Sequence, residues 1–360
     1  MTASSEVLPK CDSGKGARGT GLVAAGGEVS QNRPDVRYPR YVRVDSQGST
    51  DHVPRFGAAE KLQPKTSPTG QALTAWAKII ATRTGRAVTL DLHFNGSDGD
   101  EGAIVEKMRS GNQVDVALVS TVGLSKIWRP IQALQVPGLF DTWTQLDAAR
   151  VSMQAETDTN FASAGMVILG PVDFGWARVM SRGTEVRSTT DLQGRSAWMW
   201  SDDLIAPVFH RTAGSFTLKP LSVPAVLPAL NASNVDVIFS SCVQAVSRSW
   251  VSKLDNVVAN LSMGAEIGAL VVKRATLEAL TPEQRKIVVD TGAAVASSLN
   301  AARRWDEECL AKWSKAISRT TIITPDQLAQ WNDVFTRTRA ALGQGVIDPA
   351  LLMKLEAARK

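Results

Sequence analysis

Between Asp191 and Ser241, apolar runs of strand length alternate with stretches of helical length, and this alternation constrains the chain more than any other feature. Gly194 marks a turn into the apolar run Ala197 to Trp200. Ser201 to Ala213 and Val223 to Leu230 read as helices. Val237-Ile238-Phe239 reads as a buried strand ending in the hydroxyls of Ser240 and Ser241. Strand, helix, strand, helix, strand is the grammar of an α/β fold. Ligands of open α/β sheets bind beyond the carboxyl ends of the strands, so Trp198 to Asp203 and Ser240 to Gln244 are expected to sit together there.

A chain of 360 residues is long enough for two lobes. The net charge of +5 is spread out, with no basic block, so nucleic acid is not an expected partner. No apolar run approaches the ~18 residues of a membrane span, so the chain is not expected to be membrane-spanning. The three cysteines, Cys11, Cys242 and Cys309, show no CxxC spacing, and the odd count argues against a disulfide framework. HExxH, GxSxG, Walker and GxGxxG patterns are absent, which favours a binding protein with no catalytic set, cofactor or metal. Gly21 to Gly26 is the best apolar run near the start and is too short and glycine-rich for an export leader.

Residues 1–54 lack periodicity and read as a loosely attached or atypical segment. Phe56 to Leu62 makes a poor strand. Thr69 to Thr84 is an amphipathic helix, with Leu73, Trp76, Ala77 and Ile80 at helical spacing. Further strands are expected at Val88 to Phe94, Val114 to Val119, Met166 to Leu169, Phe174 to Ser181, Val257 to Ala259, Ala269 to Val272 and Thr321 to Ile323. Helices are expected at Glu101 to Ser110, Thr144 to Ser163 and Asp326 to Leu342. A long one begins at Pro282, with Thr281 as cap, and runs past Trp305 to Lys315.

Six short segments in order resemble the DctP-type solute receptors of TRAP (tripartite ATP-independent periplasmic) transporters, from about Phe56 onward. They are the loop Asn95 to Glu101, Met108-Arg109-Ser110-Gly111 with Val114-Asp115-Val116-Ala117, Val136-Pro137-Gly138-Leu139-Phe140, Thr189-Thr190-Asp191-Leu192-Gln193-Gly194, Pro228-Ala229-Leu230 with Val235-Asp236, and Leu280-Thr281-Pro282-Glu283-Gln284. The resemblance implies a two-lobe periplasmic-binding-protein-like α/β fold with a central cleft and a long helix spanning both lobes. Its boundaries would be lobe I over 55–175, lobe II over 176–262, a return to lobe I with the long helix over 263–305, and lobe II with the C-terminal helices over 306–360. It also implies a periplasmic receptor that closes on a small organic molecule and delivers it to the membrane subunits of a TRAP permease.

In such receptors an arginine soon after the DLkG turn clamps the ligand carboxylate, because its fork matches both oxygens. Here that position is Trp198. Arg195 lies three residues earlier, on the opposite face of a strand. Trp198 and Trp200 share one face and offer apolar area, indole donors or a cation–π surface; the plainer role is core packing. Gly175-Trp176-Ala177-Arg178 is similar to the family's G-f-R, which makes Arg178 the candidate for an anion contact, against a surface or salt-bridge role. Ser120, Thr121, Ser240, Ser241 and Gln244 end strands at the expected cleft, where they either contact ligand or are ordinary strand-end polar groups. Asp202-Asp203 and Asp100-Glu101 read as helix caps rather than metal or acid–base pairs. Cys242 reads as a small buried apolar residue. An organic acid, or a more apolar or aromatic solute, is the expected ligand; an enzyme or sensory module on the same scaffold stays open.

Overall fold

The structure is a computed structural model, and it describes residues 43–44, 50–51, 55–56, 65, 67–94, 99–110, 114–214 and 216–359. Most of the segment expected to be loosely attached lies outside these residues, as do the loop at 95–98 and most of the expected strand at 56–62. β1 (Arg43–Val44) and β2 (Thr50–Asp51) pair as an antiparallel ribbon.

The first lobe is a mixed sheet in the order β4-β3-β5-β12-β6. Its strands are β3 (Arg55–Phe56), β4 (Asp91–Leu92), β5 (Val116–Ser120), β6 (Met166–Trp176) and β12 (Ala265–Lys273). One face is covered by α1 (Pro68–Arg83) and α9 (Pro282–Leu299), with Leu73, Trp76, Ile80, Leu118, Leu270 and Val288 in the core. The Trp76 indole donates to Thr291 Oγ1 at 2.9 Å and locks the two helices together. The other face packs on α2 (Glu101–Ser110), the short α3 (Thr121–Leu124) and α4 (Trp143–Ser163). The second lobe is a sheet in the order β13-β11-β7-β10-β8-β9. Its strands are β7 (Arg178–Ser181), β8 (Ser196–Met199), β9 (Thr217–Pro220), β10 (Val237–Ser240), β11 (Asn256–Val258) and β13 (Arg319–Thr321). α5 (Ala206–Ala213) and α11 (Pro325–Leu342) bury Phe209, Trp331 and Phe335 on one face. α6 (Val223–Asn231) and α7 (Cys242–Ser247) bury Val226, Leu230 and Trp198 on the other. β8, β9 and β10 run parallel, as crossover helices require.

Four features differ from the sequence expectations. Met166 to Ser181 was expected as two strands broken at residue 170, but β6 runs through to Trp176. Pro171 is tolerated because β6 is an edge strand. The break falls at Ala177, where the chain passes from one sheet to the other. The return crossing runs alongside it, with Ala177 N donating to Gly264 O (2.9 Å) and Met263 N to Ala177 O (2.8 Å). The long helix is divided. After α9 the chain bends at Asn300 before α10 (Ala302–Ala316), and Asn300 Oδ1 accepts the Asp173 backbone N–H at 3.1 Å. Residues 306–360 do not all belong to the second lobe. α11 ends with Leu342 in the first-lobe core, and α12 (Pro349–Ala358) lays Leu351, Leu352 and Leu355 there, since those apolar residues complete the surface around α4. α8 (Arg274–Glu278) follows β12. Finally, Cys242 and Cys309 form a disulfide joining α7 to α10, with Cα atoms 5.8 Å apart. The odd count misled because three cysteines still allow one pair, and Cys242 and Cys309 lie 67 residues apart with no local spacing signal.

An ion lattice pins the third crossing. Asp173, fully buried, is held by Arg150 and by Arg303 Nε (2.6 Å). Arg303 also grips Asp147 with both terminal nitrogens (2.6 and 2.8 Å) and lies 4.7 Å over the Trp143 ring.

Candidate functional site

Two adjoining cavities, of about 130 and 40 Å³, lie where the carboxyl ends of β8 and β10 face the ends of β5 and β12. Both are lined by Trp198, Trp200, Gln135 and Glu266. The larger adds Asp203, Phe209, Phe239 and Met263; the smaller adds Ser120, Ser240, Gln244, Arg248, Glu101 and Trp250. Walls from both sheets make this the cleft between the lobes. Two contacts bridge its rim. Lys126 Nζ lies 2.7 Å from Asp202 Oδ1, and Leu204 N donates to Gln132 Oε1 at 3.0 Å.

The strand period does bring Trp198 and Trp200 together, with rings edge-on at 5.7 Å. Trp198 packs a further 5.2 Å from Trp250, and its indole N–H is committed to the Leu221 carbonyl at 3.0 Å. The Trp200 Nε1 is buried with no hydrogen-bond partner, which is unusual for a polar atom away from water. Ser120 and Ser240 line the smaller cavity. Ser120 caps α3 and donates to Glu101 Oε2 at 2.5 Å. Gln244 lines it too, and its Oε1 accepts from Arg248 Nη2 at 2.8 Å.

The other expected site residues are placed elsewhere. Arg178 does not line either cavity. It turns toward the crossing, donates through Nη1 to the Leu261 carbonyl (2.9 Å) and senses the charges of Asp306 and Glu307. It sits at the start of β7, paired with Ser240, and its Nη1 is committed to the Leu261 carbonyl. Thr121 donates to Gln135 Oε1, and Ser241 is fully buried as the cap of α7. Asp203 caps the start of α5, its Oδ1 accepting from Ile205 and Ala206 N–H at 2.7 and 3.1 Å. Its neighbour Asp202 makes the rim ion pair instead.

Three charged cleft residues escaped the sequence reading. Arg248 follows Gln244 by four residues, one helical turn on, and that spacing was the available signal. It lies 5.4 Å over the Trp250 ring. Burial lowers its guanidinium to about 10, against the opposing pull of Glu266, Glu101 and Asp100. Glu266 is a lone acid inside the apolar strand β12. It accepts the Ser241 N–H at 2.9 Å, and burial raises its carboxyl. Glu101 was read, with Asp100, only as a helix cap. It reaches across to Ser120 N (3.1 Å) and Gly123 N (3.0 Å), and burial raises it to about 7. Among the described residues no His, Cys, Asp and Glu cluster could hold a metal ion, and no helix is long and apolar enough to cross a membrane.

The geometry is that of a capture site: a partly dry cleft, walls from two lobes, aromatic area and a few oriented polar groups. Comparisons with known proteins agree. The sugar acid binding protein of Advenella mimigardefordensis, solved with galactonate, superimposes with a TM-score of 0.77 at 14% identity, covering 85% of this chain and 97% of that one. A TRAP periplasmic solute-binding protein of Ralstonia eutropha, solved with (S)-2-acetolactate, gives 0.77 at 19% identity, covering 85% and 98%. At such identities the likeness establishes the two-lobe fold. A solute-binding protein of Chromohalobacter salexigens is 24% identical over 179 residues, 49% of this chain and 52% of that relative, so the match spans about half the relative's length. The model of bacterial extracellular solute-binding protein family 7 matches residues 59–342. The chain belongs to that family, the DctP family of solute-binding proteins.

Proposed function

We propose that the protein is the extracytoplasmic receptor of a TRAP transporter, which captures a small organic solute between its lobes and delivers it to the membrane subunits of a permease. The observation that carries this reading is the cleft, lined from both lobes by Trp198, Trp200, Gln244, Ser120, Ser240 and Arg248. Contacts from both walls favour the closed arrangement, so solute shifts the population toward closure, and the closed form is what a permease recognises. The unpartnered Trp200 N–H is a donor that a solute oxygen would satisfy. Arg248 takes the role of ligand cation that the resemblance gave to Arg178. The Cys242–Cys309 disulfide supports a periplasmic location, since such bonds persist in oxidising compartments.

The test is thermal unfolding with a panel of sugar acids, dicarboxylates, amino acids and aromatic acids. A solute that binds the native state at 100 times its Kd adds about 2.7 kcal/mol and raises the midpoint. Trp200→Phe is expected to weaken the hit by removing its donor, and Arg178→Gln to leave the affinity of the folded protein unchanged. A hit indifferent to Trp200→Phe and Arg248→Gln would place binding outside this cleft.

A further inference from the structure

This inference rests on the receptor reading and concerns the charge of the solute. The two cavities meet at Trp198, Trp200, Gln135 and Glu266, but they differ electrically. The smaller contains Arg248, the one cation lining either cavity among the described residues. The larger has Glu266 and Asp203 as its charged groups, set among Trp198, Trp200, Phe209 and Phe239. A solute reaching across both would therefore find the Arg248 guanidinium with Glu101 at one end, Glu266 and the two indole rings at the junction, and Asp203 at the other end.

A simple anion fits that arrangement poorly. Its carboxylate at Arg248 would lie beside Glu266 and Glu101, in a space where like charges are weakly screened. A second, positive group on the same solute turns the Glu266 contact into attraction, and aromatic faces reinforce it. Arg248 is already oriented for the first contact by Gln244 and by the Trp250 ring. We propose that the cleft selects a zwitterion, with its carboxylate on Arg248 and a compact ammonium or amidinium group beside Glu266, against the exposed sides of the Trp198–Trp200 pair.

The experiment divides a small-molecule extract on a cation-exchange resin at low pH, into a retained fraction of zwitterions and amines and an unretained fraction of simple anions. Each is tested by thermal shift and native mass spectrometry on the whole protein. Glycine betaine, γ-aminobutyrate, galactonate and succinate serve as defined probes. The expected result is a raised transition with the retained fraction. Glu266→Gln keeps an oxygen for the Ser241 N–H but loses the charge, and it is expected to weaken the retained solute about tenfold or more. The same variant gains affinity for the anionic probes, a change of preference that a purely structural role would not produce. Stabilisation by the unretained fraction alone, or a Glu266→Gln variant that binds the retained solute more tightly, overturns the zwitterion and leaves the receptor. No stabilisation from either fraction, with the protein folded, overturns the receptor reading itself.

Discussion

The molecule contains two clusters of buried and partly buried charged side chains, and they are built differently. At the crossing between α9 and α10, Asp147 and Asp173 face Arg150 and Arg303, two carboxylates to two guanidinium groups, with close bonds throughout. In the cleft, Glu101 and Glu266 share a cavity with Arg248, and Asp203 lines the adjoining cavity, which has no cation among the described residues. The crossing cluster is electrically complete, so it serves to hold elements in place. The cleft cluster is incomplete, and burial raises its carboxyls and lowers its guanidinium. A charge imbalance kept inside a cavity marks the place where a ligand supplies what is missing.

The largest effect should come from breaking the complete cluster. Asp173→Ala leaves Arg150 and Arg303 without their buried partner and is expected to cost about 3–5 kcal/mol in urea unfolding, without altering which solutes bind. A small loss would mean the lattice is not a structural pin. The next effect is on pH dependence. Glu101 moves from an ordinary 4.5 to about 7 in the folded protein, so the folded state binds the extra proton between those values. Its contribution is full below 4.5 and is lost as pH rises through 7, a fall of roughly 3 kcal/mol. Glu101→Gln should flatten that part of the stability curve; an unchanged slope would assign the dependence to other groups. Glu266→Gln sharpens the contrast further, because it keeps an oxygen for the Ser241 N–H, so its effect on the unliganded stability in urea should be smaller than that of Asp173→Ala while binding suffers. The smallest effect belongs to the exposed rim pair. Lys126→Ala is expected to change stability by less than about 1 kcal/mol, and less still in high salt, measured by thermal unfolding.

Much of the fold was legible in the sequence because its signals are local. Glu101–Ser110 reads directly as a helix, and Val237–Ser240 as a buried strand, from apolar period and turn residues. The two indoles of the cleft were legible for the same reason, since a period of two fixes the shared face of Trp198 and Trp200. What escaped depends on partners distant in the chain. Asn300 ends α9 while bonding to Asp173, 127 positions away. Glu266 and Arg248 line one cavity from different lobes, and neither residue's own neighbourhood announces that they share it. Arg178 was singled out by a local pattern that matched a family motif, whereas its hydrogen bond to the Leu261 carbonyl and the charge of Asp306 beside it come from distant parts of the chain.

The most direct test is a crystal structure of the protein with the solute that stabilises it. The account predicts the solute in the cleft, its carboxylate on Arg248, its positive group beside Glu266, and an oxygen within hydrogen-bond reach of the Trp200 indole N–H. A solute seated elsewhere, such as the separate cavity lined by Arg150, Met153 and Thr157 beneath α4, would contradict it, as would a solute in the cleft that leaves Arg248 and Trp200 without contact.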